Sequence, residues 1–210
     1  MIETLVNRAD NAIATLVFAH GAGAGQTSEF MTQIAEGISG HQINVVRFNF
    51  AYMELAVTLN KRRPPEKAEK LIERFSQVLD ELDASLPIFI GGKSMGGRIA
   101  SMLLENSLAQ GCICMGYPFH PPGKPEKLRI DHLQHLTKPI LILQGERDNF
   151  GTKEEVQGYP LSEKVKVNFI TDGDHSFKPR VKSGVTLQQN LTKAIQDSVS
   201  FIKANRVSLT

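Results

Sequence analysis

The sequence predicts an α/β fold: a mostly parallel central sheet of about six or seven strands with helices on both faces. Two observations carry that expectation. The runs 14–19, 44–48, 87–90, 111–115, 139–144 and 165–170 are short and rich in apolar residues, so they read as strands of a sheet covered on both faces. Between several of them lie segments with apolar residues at helical spacing, and a strand–helix–strand unit crosses over right-handed and parallel.

Taken in order, residues 1–13 are mixed in character and hold at most one edge strand, Glu3 to Val6. The strand Ala14–Ala19 runs into His20-Gly21-Ala22-Gly23-Ala24-Gly25, with glycine at every second position of the loop. Thr27 and Ser28 offer an N-cap, and Phe30, Ile34 and Ile38, joined by Met31 and Ala35, mark one face of a helix that Gly40 can stop. Asn44–Phe48 is the next strand. From Asn49 to Pro65 the periodicity disappears, which reads as a loop. Its basic end, Lys61-Arg62-Arg63-Pro64-Pro65, reads as solvated, the alternative being a grip on an anionic substrate group near the mouth of a site. Glu66 to Asp83 is the cleanest helix, with Ala68, Leu71, Ile72, Phe75, Val78, Leu79 and Leu82 on one stripe. Beyond the strand Gly111–Met115, Gly116 to Gly123 is an irregular loop. The strands Pro139–Gln144 and Val165–Ile170 run into Gly145-Glu146-Arg147-Asp148 and Asp172-Gly173-Asp174-His175. A closing helix turns Leu187, Leu191, Ala194, Ile195 and Ile202 inward.

At 210 residues the chain suits one substantial core, and no repeat, low-complexity stretch or linker divides it, so residues 1–210 are expected to form a single domain. A net charge of +2 argues against nucleic acid or an anionic membrane as partner. No segment has the length of a membrane span, and the first residues lack the layout of a signal peptide. The two cysteines, Cys112 and Cys114, alternate along a strand and share one face, a poor geometry for a disulfide. They read as reduced core residues of a cytoplasmic protein.

The chemistry concentrates at Gly91-Gly92-Lys93-Ser94-Met95-Gly96-Gly97, between the strand ending at Ile90 and a helix carrying Ile99, Met102 and Leu103. Gly-x-Ser-x-Gly at a strand-to-helix turn exposes a serine on a strained backbone, with side-chain-free neighbours two residues away. The same turn aims the Met95 N–H and the positive end of the helix at whatever binds the serine oxygen. A serine hydroxyl needs a base, and a histidine base needs an orienting carboxylate. His20-Gly21, Ser94, Asp148 and His175 all follow strands, hence lie at one edge of the sheet, where ligands of open parallel sheets bind. The order Ser94, Asp148, His175 is that of an elbow nucleophile and its partners. Glu146 and Asp172 are the other candidates for the acid. The second oxyanion donor falls in the loop after the first clear strand, at the Ala22 N–H or next at Gly23. That loop lacks the Lys-Ser/Thr ending and the glycine spacing of phosphate-binding loops. His132 and His135, beside Asp131, have no fourth ligand in view and read as a solvated loop rather than a metal site.

Together, His20-Gly21-Ala22-Gly23, Gly92-Lys93-Ser94-Met95-Gly96, Gly145-Glu146-Arg147-Asp148 and Asp174-His175-Ser176-Phe177 resemble the alpha/beta-hydrolase superfamily. The chain is more closely similar to a small, lidless branch of hydrolases related to dienelactone hydrolases, from about Ala14 to the last helix. Tyr117-Pro118-Phe119-His120-Pro121-Pro122 and Arg62-Arg63-Pro64-Pro65 are also similar to that branch. The resemblance implies Ser94 as nucleophile, Asp148 as acid, His175 as base, and an oxyanion hole at Ala22 and Met95. Dienelactone hydrolases proper use cysteine where this chain has Ser94, so their substrate does not carry over. The chain is also short at its N-terminus, as if one or both first strands of the full fold were missing, and no long insertion supplies a cap. The acyl pocket is then expected from short loops at 49–55 and 118–122, with Gly21, Gly23, Tyr52, Pro118 and Phe119 as substrate contacts, open and modest in size.

The expectation is a cytoplasmic serine hydrolase acting on a carboxylic ester or thioester, without cofactor or metal, with a small acyl compound as its partner. The same residues serve a peptidase or acyltransferase equally well, and a non-catalytic interaction scaffold is the reading from outside enzymes.

Overall fold

In a computed structural model that describes residues 2–83 and 85–207, seven strands form one sheet in the order β1-β3-β2-β4-β5-β6-β7. The strands are β1 (Thr4–Asn7), β2 (Ala14–Ala19), β3 (Ile43–Phe48), β4 (Ile88–Lys93), β5 (Cys112–Met115), β6 (Ile140–Gly145) and β7 (Val165–Ile170). The edge strand β1 pairs antiparallel with β3, and every other pairing is parallel. The helices are α1 (Glu29–Ser39), α2 (Ala51–Thr58), α3 (Ala68–Asp80), α4 (Met95–Leu103), α5 (Lys153–Val156) and α6 (Leu187–Asn205).

Both faces of the sheet are covered, as its apolar central strands require. On one face Val17, Ile90, Cys112 and Ile142 meet Leu71, Phe75 and Val78 of α3 and Ile99 and Leu103 of α4. On the other, Leu16, Phe18, Phe89 and Leu141 meet Ile34 and Ile38 of α1 and Leu191 and Ile202 of α6. Helices α1 and α6 also press together at Gly37, where an added Cβ would fall 2.3 Å from Ile195 Cδ1.

Three local expectations are corrected. The stretch after Asn49 is no loop at its start: α2 occupies Ala51–Thr58, with Tyr52 and Met53 as its buried residues. Two consecutive inward residues on a short, otherwise exposed helix leave little 3.6-residue periodicity to read. Leu187 begins α6 but is 40% exposed rather than turned inward. His132 is not solvated: its Nε2 lies 2.8 Å from Ser101 Oγ, and burial, then the nearby Arg98, lowers its pKa from 6.5 to about 4. His135 is exposed. Cys112 and Cys114 are buried and free, their sulfurs 3.7 Å apart on one face of β5.

Candidate active site

Strand β4 delivers the chain to Ser94 through a turn that only this sequence pattern tolerates. Ser94 has φ +51° and ψ −116°, the left-handed side of the map that a side chain adopts at a cost of about 1–3 kcal/mol. A Cβ on Gly92 would meet Ala19 O at 2.5 Å, and one on Gly96 would meet Ala19 O and His20 O, each at 2.5 Å. The serine is thus wedged against the end of β2, and α4 starts at the next residue.

His175 lies in the loop after β7, and its Nε2 is 2.9 Å from Ser94 Oγ. Its Nδ1 is 2.8 Å from Asp148 Oδ2, in the loop after β6. A carboxylate only accepts, so Nδ1 carries the proton and Nε2 is left to accept from the serine hydroxyl. Asp148 is fully buried. The Phe150 N–H donates to its Oδ1 at 2.9 Å, and Gln144 Nε2 donates to its Oδ2 at 3.0 Å. Phe150 also stacks over the imidazole with ring centroids 4.3 Å apart. The other two carboxylates considered from the sequence are engaged elsewhere. Glu146 accepts from the Asp172 N–H and from Lys153, and Asp172 accepts from Arg180.

The loop 20–26 is tied down from several sides. His20 Nδ1 donates to Gly21 O at 2.7 Å and its Nε2 accepts from the Phe50 N–H at 3.1 Å. That pattern needs the neutral ring, and burial holds it so, lowering the His20 pKa to about 4. The Tyr52 hydroxyl reaches Gly21 O and Ala22 O at 3.3 and 3.2 Å. Asn49 Oδ1 accepts from the Gln26 N–H, and the buried Arg47 donates to Gln26 O at 2.7 Å. With its carbonyls so engaged, the loop leaves the Ala22 N–H without an acceptor among the described residues, and the Met95 N–H is likewise free. Gly21 packs directly against Ser94, since a Cβ there would lie 3.6 Å from Ser94 Cβ.

Of the residues assigned to substrate contact from sequence, Gly21 is half-buried against Ser94, and Gly23 is exposed and borders an open cavity together with the oxyanion candidate Ala22. Tyr52 is only 4% exposed and braces the loop instead. Phe119 is fully buried against Tyr117 and Tyr159, and Pro118 is buried beside it. These two side chains belong to the core under the site, because the loop after β5 folds inward over the sheet.

Lys93, Gln144 and Phe150 were not singled out from sequence. Lys93 is nearly fully buried, and its ammonium donates to His175 O at 2.6 Å. Burial lowers its pKa from 10.5 to about 8, against the opposing pull of Asp148 and Asp174. The cover over Lys93 comes from segments distant in sequence: the loop after β7, Phe30, whose ring centroid is 5.6 Å from the ammonium, and Gly21.

Among the described residues no His/Cys/Asp/Glu cluster could hold a metal ion, and no helix is long and apolar enough to cross a membrane. The fold is similar to an alpha-beta serine hydrolase homologue from Coxiella burnetii, with 18% identity over 96% of this chain and 91% of that one and a TM-score of 0.74. It is also similar to a lidless serine hydrolase from Xanthomonas campestris, with 18% identity, coverage of 94% and 88%, and a TM-score of 0.73. A dienelactone hydrolase from Anabaena variabilis matches with 19% identity, coverage of 97% and 92%, and a TM-score of 0.73. The alpha/beta hydrolase domain family matches residues 12–203, nearly the whole length, and the chain belongs to that family.

Proposed function

We propose that this protein is a serine hydrolase that cleaves a carboxylic ester or thioester through an acyl-Ser94 intermediate. The observation that carries the reading is the continuous hydrogen-bonded path from Ser94 Oγ through His175 to the buried Asp148, at 2.9 and 2.8 Å. As His175 Nε2 takes the hydroxyl proton, Ser94 Oγ bonds to the acyl carbon and the carbonyl electron pair moves onto oxygen. The Met95 and Ala22 N–H groups receive that oxyanion, and among the described residues they have no other acceptor to give up. The intermediate collapses as the proton on His175 passes to the departing alcohol or thiol. Water then enters, gives its proton to His175, attacks the acyl carbon and releases the acid with Ser94 restored. Asp148 keeps the imidazole in the tautomer that makes Nε2 the acceptor, and Phe150 limits its rotation. No step draws on a cofactor or metal. The similarity to serine hydrolases of other organisms supports the reaction class.

The test is labelling with a fluorophosphonate probe, alongside Ser94→Ala and His175→Ala. Labelling of the wild type that vanishes in both variants is expected. Equal labelling of Ser94→Ala, or none of a folded wild type, would remove the assignment.

A further inference from the structure

A cavity of about 780 Å³ opens beside the loop that would hold the oxyanion. It begins at Ala22 and Gly23, one residue beyond the Gly21 that packs on Ser94, so the cavity and the serine share one loop. Met53, Ala56 and Val57 line it along α2, and Val57 is 66% exposed, an apolar side chain left open to whatever enters. The chain after α2 closes it with Lys61-Arg62-Arg63-Pro64-Pro65. Among the described residues no carboxylate contributes to its lining.

The charge there is unbalanced. Some basic side chains elsewhere meet acids, as in Lys70 with Glu73, Arg74 with Glu54, Lys153 with Glu146 and Arg180 with Asp172, while scattered others such as Lys124, Lys127 and Lys166 do not; what sets this run apart is three adjacent cations on one cavity wall. None of the ion pairs among the described residues involves Lys61, Arg62 or Arg63. The two prolines restrict the backbone that presents the run and hold Arg63 away from helix. Two guanidinium groups offer paired donors matched to a carboxylate or phosphate.

An apolar trough with a candidate oxyanion donor at one end and three unpaired cations on its wall is complementary to an amphiphile. We propose that the cavity binds the acyl part of the substrate, an apolar body carrying a carboxylate or phosphate, so that this hydrolase acts on esters or thioesters of acidic acyl groups. The assignment of substrate class rests on the hydrolase reading above, but the binding it requires does not.

Two measurements separate the two. The first is calorimetric binding of hexanoate, hexyl phosphate and the neutral hexanol to the intact protein and to an Arg62→Ala/Arg63→Ala variant. At least one anion should bind about tenfold more tightly than hexanol, and the variant should lose that margin, in line with two solvent-exposed charge contacts of modest strength. Which anion wins distinguishes carboxylate from phosphate. Equal binding of all three, or a margin that survives in the variant, overturns the proposal whatever the enzyme's activity. The second compares kcat/KM for p-nitrophenyl esters of an acyl chain ending in carboxylate, in phosphate, or in a neutral methyl ester. The anionic-to-neutral ratio should favour the anion through KM, fall about tenfold in the variant, and shrink with added salt. Turnover with no preference between the three esters sinks the pocket assignment and leaves the hydrolase standing. Anion-selective binding without labelling by a fluorophosphonate does the reverse.

Discussion

Replacing Lys93 by methionine tests whether a buried charge is spent on holding the loop that carries His175. The substitution keeps the length of the side chain and removes the ammonium that donates to His175 O at 2.6 Å. A hydrogen bond from a charged donor contributes about 1.5–3 kcal/mol. Against it stands the cost of burying the charge: a pKa lowered from 10.5 to about 8 corresponds to ~3 kcal/mol at ~1.4 kcal/mol per unit. At pH 7 the two nearly cancel, so the variant should match the wild type in stability to within about 2 kcal/mol. Above that pH they separate. Between about 8 and 10.5 the unfolded lysine still binds its proton and the folded one has lost it, so wild-type stability rises with pH while the variant gains nothing from this site. Urea unfolding of both proteins at pH 7, 8.5 and 10 measures the difference directly. The wild type should gain on the variant by about 3 kcal/mol across the interval. A difference that stays flat from pH 7 to 10 would refute both the burial of the charge and the reasoning built on it. Activity should fall in the variant even where stability is matched, since the His175 loop loses its strut.

The remaining predictions concern the groups around Ser94. Asp148→Asn removes the carboxylate that selects the tautomer of His175, and kcat should fall by roughly 10⁴-fold with KM little changed; an ester assay that finds less than a tenfold loss would argue against this acid. Tyr52→Phe deletes the hydroxyl that reaches Gly21 O and Ala22 O, and the rate of fluorophosphonate labelling should drop about tenfold while the melting temperature moves by a few degrees. His20, with its pKa lowered to about 4, makes stability fall as pH drops from about 6.5 to 4, because there the unfolded ring takes up a proton that the folded ring refuses. The loss should approach ~3 kcal/mol, and His20→Gln should flatten that part of a stability-against-pH curve.

Much of the architecture was legible because it rests on short-range patterns. The short apolar-rich runs became six parallel strands, and Val165–Ile170 matches β7 residue for residue. Ser94, Asp148 and His175 were reachable because each follows a strand, and parallel strands end at one edge of the sheet. The small helix α2 escaped because Tyr52 and Met53 are its only buried residues, too few to set a period. Phe119 was misplaced for the opposite reason: an aromatic side chain in a proline-rich loop has no periodicity to show which way it points, and here it points into the core.

By itself, then, the sequence determined the order and type of the parallel strands and the longer helices, the strained turn at Ser94 and the sheet edge that Ser94, Asp148 and His175 share. These follow from local sterics and from alternation along the chain. Tertiary structure alone decided which lysine is buried, which carboxylate faces His175 while Glu146 and Asp172 turn to other partners, and which basic residues are left without an acid. Burial and ion pairing are properties of neighbours distant in sequence: Lys93 meets His175 across 82 residues, and no local window contains both.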